Sequence, residues 1–132
     1  MRAVVTGADG FAGRWLCRLL MARGRDVVGW VRRPPTAPLP GVRYRVVDIR
    51  DATACLDAGD KPDEAFHLAA VTHLVQAASS PDLTHATNVV GTQNVVRALP
   101  LGCRVVLAST CHVYGRPRSL PITEDHPLSP EG

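Results

Sequence analysis

The feature that most constrains the fold is an alternation of two kinds of segment. Strand-like, largely apolar runs at 3–6, 26–31, 43–47, 64–69 and 104–108 are separated by stretches with helical spacing or loop composition. Apolar runs with little polar alternation are expected in strands buried on both faces, and strands alternating with helices build a parallel sheet covered by helices. The segment 11–23 reads as a helix, with Ala12, Trp15, Leu16 and Leu19 on one face expected to meet the core and Gly24 at the C-terminal stop. A short helix is expected at 52–58. A longer one is expected at about 82–99, opened by Ser80 as cap and Pro81 in its first turn. Four prolines (Pro34, Pro35, Pro38, Pro40) make the stretch between strands two and three a loop.

Right-handed crossovers between five parallel strands give the order 3-2-1-4-5, an α/β fold with a three-layer Rossmann-type sheet. After Gly115 come four more prolines, and no regular element is expected there. Nothing then supplies a helix to cover strand five, so the domain reads as incomplete at its C-terminal end. The division expected is a sheet domain over 1–115 and a proline-rich loop over 116–132.

Composition removes several alternatives. With 132 residues, 45% hydrophobic and 20% charged, the chain suits one globular domain rather than a disordered or fibrous protein. No apolar run reaches the roughly 18 residues of a membrane span, and Met1-Arg2 leads directly into a strand with no signal-peptide pattern. A cytoplasmic protein without a membrane partner is expected. Fourteen of the 15 basic residues are Arg, with Lys61 the sole lysine. They are scattered and aromatics are few, so no nucleic-acid partner is expected. Cys17, Cys55, Cys103 and Cys111 contain no C-x-x-C and read as reduced thiols, while His73, His85 and His126 show no metal-ligand spacing, so no metal is expected.

Between strand one and helix one lies Thr6-Gly7-Ala8-Asp9-Gly10-Phe11-Ala12-Gly13. In that context a glycine triplet is a dinucleotide fingerprint. Gly7 permits the tight turn, Gly10 lets backbone approach a pyrophosphate, and Gly13 lets the helix pack closely. The first-turn N–H groups at Phe11 and Ala12 then face the phosphates.

The G-x-x-G-x-x-G spacing, with Thr ahead and Phe inside, resembles the extended short-chain dehydrogenases/reductases, the NAD-dependent epimerase/dehydratase group acting on nucleotide sugars. Other matches follow in order: Val47-Asp48-Ile49-Arg50-Asp51, Phe66-His67-Leu68-Ala69-Ala70, Asn88-Val89-Val90-Gly91-Thr92, Ala108-Ser109-Thr110-Cys111-His112-Val113-Tyr114-Gly115, and Pro121-Ile122-Thr123-Glu124-Asp125. The resemblance implies that Asp48 and Ile49 meet the adenine, and that Leu68, Ala69, Ala70 and Thr72 line the cofactor. It also implies that Thr110 holds the reacting sugar oxygen, and that the full-length form is a homodimer with a nucleotide-sugar substrate. His67 reads as a packed strand histidine. Asn88 is open between contact with cofactor and simple satisfaction of buried backbone.

Two departures refine the expectation. An NAD enzyme places an acidic residue at the end of strand two, where this chain has Val31 followed by Arg32 and Arg33. A guanidinium suits a 2′-phosphate, so NADP is expected over NAD. The resemblance places a glutamate at position 112 in 4,6-dehydratases. His112 stands there instead, shifting the expectation from a dehydratase toward a 4-epimerase or 4-ketoreductase. A non-catalytic NADP-binding module is the alternative of another class. The family's Tyr-x-x-x-Lys pair is absent, because Tyr44 is followed four residues on by Asp48 and Tyr114 by Arg118. This chain is therefore expected to be the inactive N-terminal part of a larger enzyme.

Overall fold

The computed structural model describes residues 1–130. Five parallel strands, β1 (Arg2–Thr6), β2 (Asp26–Val31), β3 (Arg43–Val46), β4 (Glu64–His67) and β5 (Arg104–Leu107), lie in the order β3-β2-β1-β4-β5. The helices are α1 (Phe11–Ala22), α2 (Ala52–Asp57), α3 (Leu74–Ser79), α4 (Pro81–His85) and α5 (Gly91–Ala98). The strand order is the one expected from the sequence.

Consecutive strand residues serve opposite layers, which is why the central strands are apolar throughout. Ala3, Val5, Val27 and Val31 pack with Cys17 and Leu20 of α1. Val4, Val28 and Trp30 pack on the other side with Cys55 of α2 and Val95 of α5. Burial pushes the Cys17 and Cys55 thiols up to about 11, so both stay protonated at neutral pH. Charged residues gather where the strands begin. Asp26 bridges Arg2 and Arg43 at 2.9 Å, and Arg25 meets Glu64 at 2.7 Å. The opposite edge, where the strands end, is left for the site.

Three expectations need correction. Helix α1 buries Gly13, Cys17 and Leu20, whereas Ala12, Trp15 and Leu19 face outward. The face is chosen by close approach at Gly13 rather than by the bulk of Trp15, whose ring instead carries the Arg18 guanidinium 4.9 Å from its centroid. The segment after β4 holds a helix, α3, that the sequence reading omitted. The long helix is not uniform: α4 and α5 are joined through a π-helical turn, Ala86–Val90, with helical backbone at each junction. Strand β5 is exposed along its whole length, as expected for an uncovered edge. Beyond it come a 3₁₀ turn, Cys111–Tyr114, and irregular chain folded back by a Ser129 N–H bond to the Val113 carbonyl.

Candidate dinucleotide and substrate site

The turn after β1 is built from contacts that exclude side chains. Gly7 has φ +66°, and a Cβ there would lie 3.0 Å from the Ala69 nitrogen. A Cβ on Gly13 would stand 2.1 Å from the Gly7 carbonyl oxygen. The close approach therefore presses helix α1 onto its own entry turn. Gly10 is the N-cap of α1 and offers no side-chain cap, so the first-turn N–H groups of Phe11, Ala12 and Gly13 are left to an outside acceptor. The first helical bond at this end is from Arg14 N–H to the Gly10 carbonyl. A pyrophosphate fits this geometry: the N-terminal end of the helix dipole is uncapped and no Cβ intervenes at Gly10.

A cleft of about 660 Å³ runs from this turn along the carboxyl ends of the strands. Gly7, Gly10, Phe11, Ala12 and Gly13 form its first wall. Arg32 and Arg33 after β2 and Asp48 and Ile49 after β3 form the second. Leu68, Ala69, Ala70 and Thr72 after β4 form the third. The structure thus gathers every sequence-derived cofactor candidate except Asn88 into one cleft. Asp9, Trp30 and Arg50, which the sequence reading did not select, also line it. Trp30 is legible only in the fold: its side chain is buried in the core beside Cys55 and Val95, where the indole N–H donates to Asp60 at 2.9 Å.

Several bonds hold the second wall in place. Arg14 donates to the Ala37 carbonyl at 2.6 Å, and Leu39 is buried with its N–H on the Tyr44 hydroxyl, so the proline-rich loop carrying Arg33 is tied at three points. Pro34 also restricts Arg33 to extended backbone. Buried Asn94 donates to the Ile49 carbonyl at 2.9 Å, and Gly91 lies where a Cβ would meet the Ile49 side chain at 2.8 Å. The Arg50 guanidinium forks onto the Asp48 carboxylate and holds it below the usual carboxylate range, and the charge of nearby Arg32 adds to this. Asp51 caps α2 through the N–H groups of Thr53 and Ala54.

A second cavity, about 580 Å³, shares the Leu68–Thr72 wall and continues to Asn88, Thr92, Ser109, Thr110 and His112. Thr110 caps the 3₁₀ turn, its hydroxyl accepting the His112 N–H at 3.3 Å, and its side chain is exposed to this cavity. Asn88 accepts the Val71 N–H at 2.8 Å and donates to the Val71 carbonyl at 3.0 Å. Both halves of its amide are thus engaged by the shared wall. His67, Thr92, Ser109 and His112 are the polar groups of this cavity to which the sequence alone assigns no site role.

A parallel sheet with a glycine-built first crossover and a long cleft across its carboxyl ends defines a dinucleotide-binding α/β domain. The chain belongs to the NAD-dependent epimerase/dehydratase family, whose model matches residues 3–132. It is 35% identical to UDP-glucose 4-epimerase of Mycolicibacterium smegmatis over 98% of this chain and 45% of that protein. Over 74% of the chain it is 38% identical to a 3β-hydroxysteroid dehydrogenase/Δ5→4-isomerase of Mycobacterium tuberculosis, covering 28% of that protein. The crystal structure of a short-chain dehydrogenase/reductase superfamily protein from Agrobacterium tumefaciens with bound NAD superposes with a TM-score of 0.81 at 34% identity, over all of this chain and 40% of that one. The chain spans less than half the length of each. No helix among the described residues is long and apolar enough to cross a membrane.

Proposed function

We propose that this chain is the N-terminal cofactor-binding part of an NAD(P)-dependent enzyme that moves hydride at a sugar carbon, C4, of a nucleotide sugar. The observation that carries the reading is that the glycine-built cleft and the Thr110 cavity share one wall, Leu68–Thr72. The nicotinamide cofactor would supply the hydride acceptor and donor. Gly7, Gly10 and Gly13 would admit its pyrophosphate, Asp48 and Ile49 its adenine, and Leu68–Thr72 would separate it from the substrate. Thr110, exposed beside that wall, would hydrogen-bond the sugar oxygen at the reacting carbon. The chain supplies no Tyr-x-x-x-Lys pair, so proton transfer would fall to groups beyond it and the 132 residues alone would not turn over.

Arg32 and Arg33 support NADP over NAD: both line the cleft, and no carboxylate stands at the end of β2 to repel a 2′-phosphate. Exposed Val89 in the π-helical turn and Val96 on α5 support a homodimer, and a cytoplasmic setting belongs to the same proposal. The steroid dehydrogenase likeness favours a second reading, in which the hydroxyl oxidised is not on a sugar. Turnover assays of the full-length protein with UDP-glucose, UDP-galactose and a 3β-hydroxysteroid test both. Interconversion of the UDP-sugars upholds the first reading, and oxidation of the steroid alone replaces it with the second.

A further inference from the structure

Thr6 ends β1 and His67 ends β4, paired in the register of the sheet. The Thr6 hydroxyl has three partners: the N–H groups of Leu68 and Ala69, each at 3.1 Å, and Nδ1 of His67 at 2.7 Å. A hydroxyl carries one proton and two acceptor lone pairs. Both backbone groups can only donate, so the Thr6 proton must go to Nδ1. A neutral His67 ring therefore carries its own proton on Nε2, which lies 2.9 Å from the Thr92 hydroxyl oxygen. Thr92 in turn donates to the Asn88 carbonyl at 2.7 Å, inside the π-helical turn. The Asn88 amide completes the circuit on Val71, through its bonds to that residue's N–H and carbonyl. The donors from Thr6 through His67 and Thr92 to Asn88 all run in one direction.

We propose that His67 is a positioning residue, whose neutral, Nε2-protonated ring fixes the Leu68–Thr72 wall to β1 on one side and to α5 on the other. This deepens the dinucleotide reading and rests on it, because the wall bounds both cavities. A ring protonated on both nitrogens would turn an N–H toward Thr6, which could accept it only by releasing Leu68 or Ala69. His67 is 6% exposed with neutral partners, and its burial holds the ring below its ordinary pKa. His112 is the other titratable group lining the second cavity.

The test combines ¹⁵N NMR of the His67 ring with NADPH and NADH titration of the purified protein. In the wild type, Nε2 should carry the proton and Nδ1 should not. His67→Asn retains an acceptor for Thr6 but does not reach Thr92, and His67→Gln retains the reach to Thr92 but not the acceptor. Each should weaken dinucleotide binding about tenfold, as expected for one broken hydrogen bond in a buried network. Thr92→Val added to His67→Asn should cost clearly less than the two single losses combined, since the His67–Thr92 link is already cut. An Nδ1-protonated ring, wild-type affinity in both His67 variants, or additive losses would overturn the proposal. Should His67→Asn fail to fold, Thr92→Val alone serves: it leaves the Thr6–His67 bond intact and should still weaken binding about tenfold, and unchanged affinity would overturn the proposal. If the wild type binds no dinucleotide, the cofactor reading falls, while the tautomer still decides the hydrogen-bond assignment.

Discussion

Gly13→Ala is the sharpest perturbation of the glycine turn. The added methyl would stand 2.1 Å from the Gly7 carbonyl oxygen and 2.9 Å from the Ala8 Cα, both backbone atoms. Ordinary contact begins near 3.4 Å, so helix and turn must separate by about 1.3 Å. No rotamer relieves a Cβ clash, and the Gly7–Ala8 backbone is itself held by the Gly7 N–H bond to the Trp30 carbonyl at 3.0 Å. Overpacking of this kind costs roughly 1–3 kcal/mol, which for a domain of this size lowers Tm by roughly 3–12 °C. The separation also carries the Phe11 and Ala12 N–H groups away from the Gly7 turn, so NADPH affinity should fall at least about tenfold.

Gly24→Ala is the control. Gly24 has φ +73° with nothing within 4 Å of a Cβ, so it bears only the conformational cost of about 1–2 kcal/mol. It should lower Tm and leave NADPH affinity unchanged. Thermal melts and fluorescence titration of both variants decide the matter. If Gly13→Ala binds NADPH as the wild type does, or Gly24→Ala loses affinity equally, the crowding argument is refuted.

Two further perturbations probe the supports of the site. The His67 pKa is lowered from 6.5 by burial, so the unfolded chain binds this proton more readily. The stability His67 contributes is full above about pH 6.5 and is lost as pH falls through the depressed folded value. Urea unfolding at pH 7.5 and 5.5 should show a larger loss in the wild type than in His67→Asn, and equal losses would contradict that origin. Asn94→Ala removes the amide donor to the Ile49 carbonyl, leaving only the weak Cys55 thiol contact at 3.7 Å. It should cost about 1–3 kcal/mol in urea unfolding.

The sequence carried the architecture because central strands buried on both faces, such as Val4-Val5 and Val27-Val28, must be apolar throughout. It carried most of the first cleft because a glycine between strand and helix has few other uses. What it hid depends on distance in space. His67 is 61 residues from Thr6 and 25 from Thr92, and no local pattern announces such a relay. The inward face of α1 was hidden by its small residues, Gly13 and Cys17, while Trp15 and Leu19 gave an equally regular stripe pointing outward. The π-helical turn at Ala86–Val90 leaves no compositional mark, and α3 has neither a capping side chain nor a buried residue to signal it.

Titration of the protein with NADPH and NADH, side by side with Arg32→Asp/Arg33→Ser, tests the central claim most directly: that the cleft after β1 holds a dinucleotide whose 2′ position meets arginine. Hydrogen bonds to a charged group contribute about 1.5–3 kcal/mol each, so NADPH should bind at least about tenfold tighter than NADH. In the double variant that preference should vanish or reverse. Equal affinity of the wild type for the two, with no change on removing both arginines, would contradict the account.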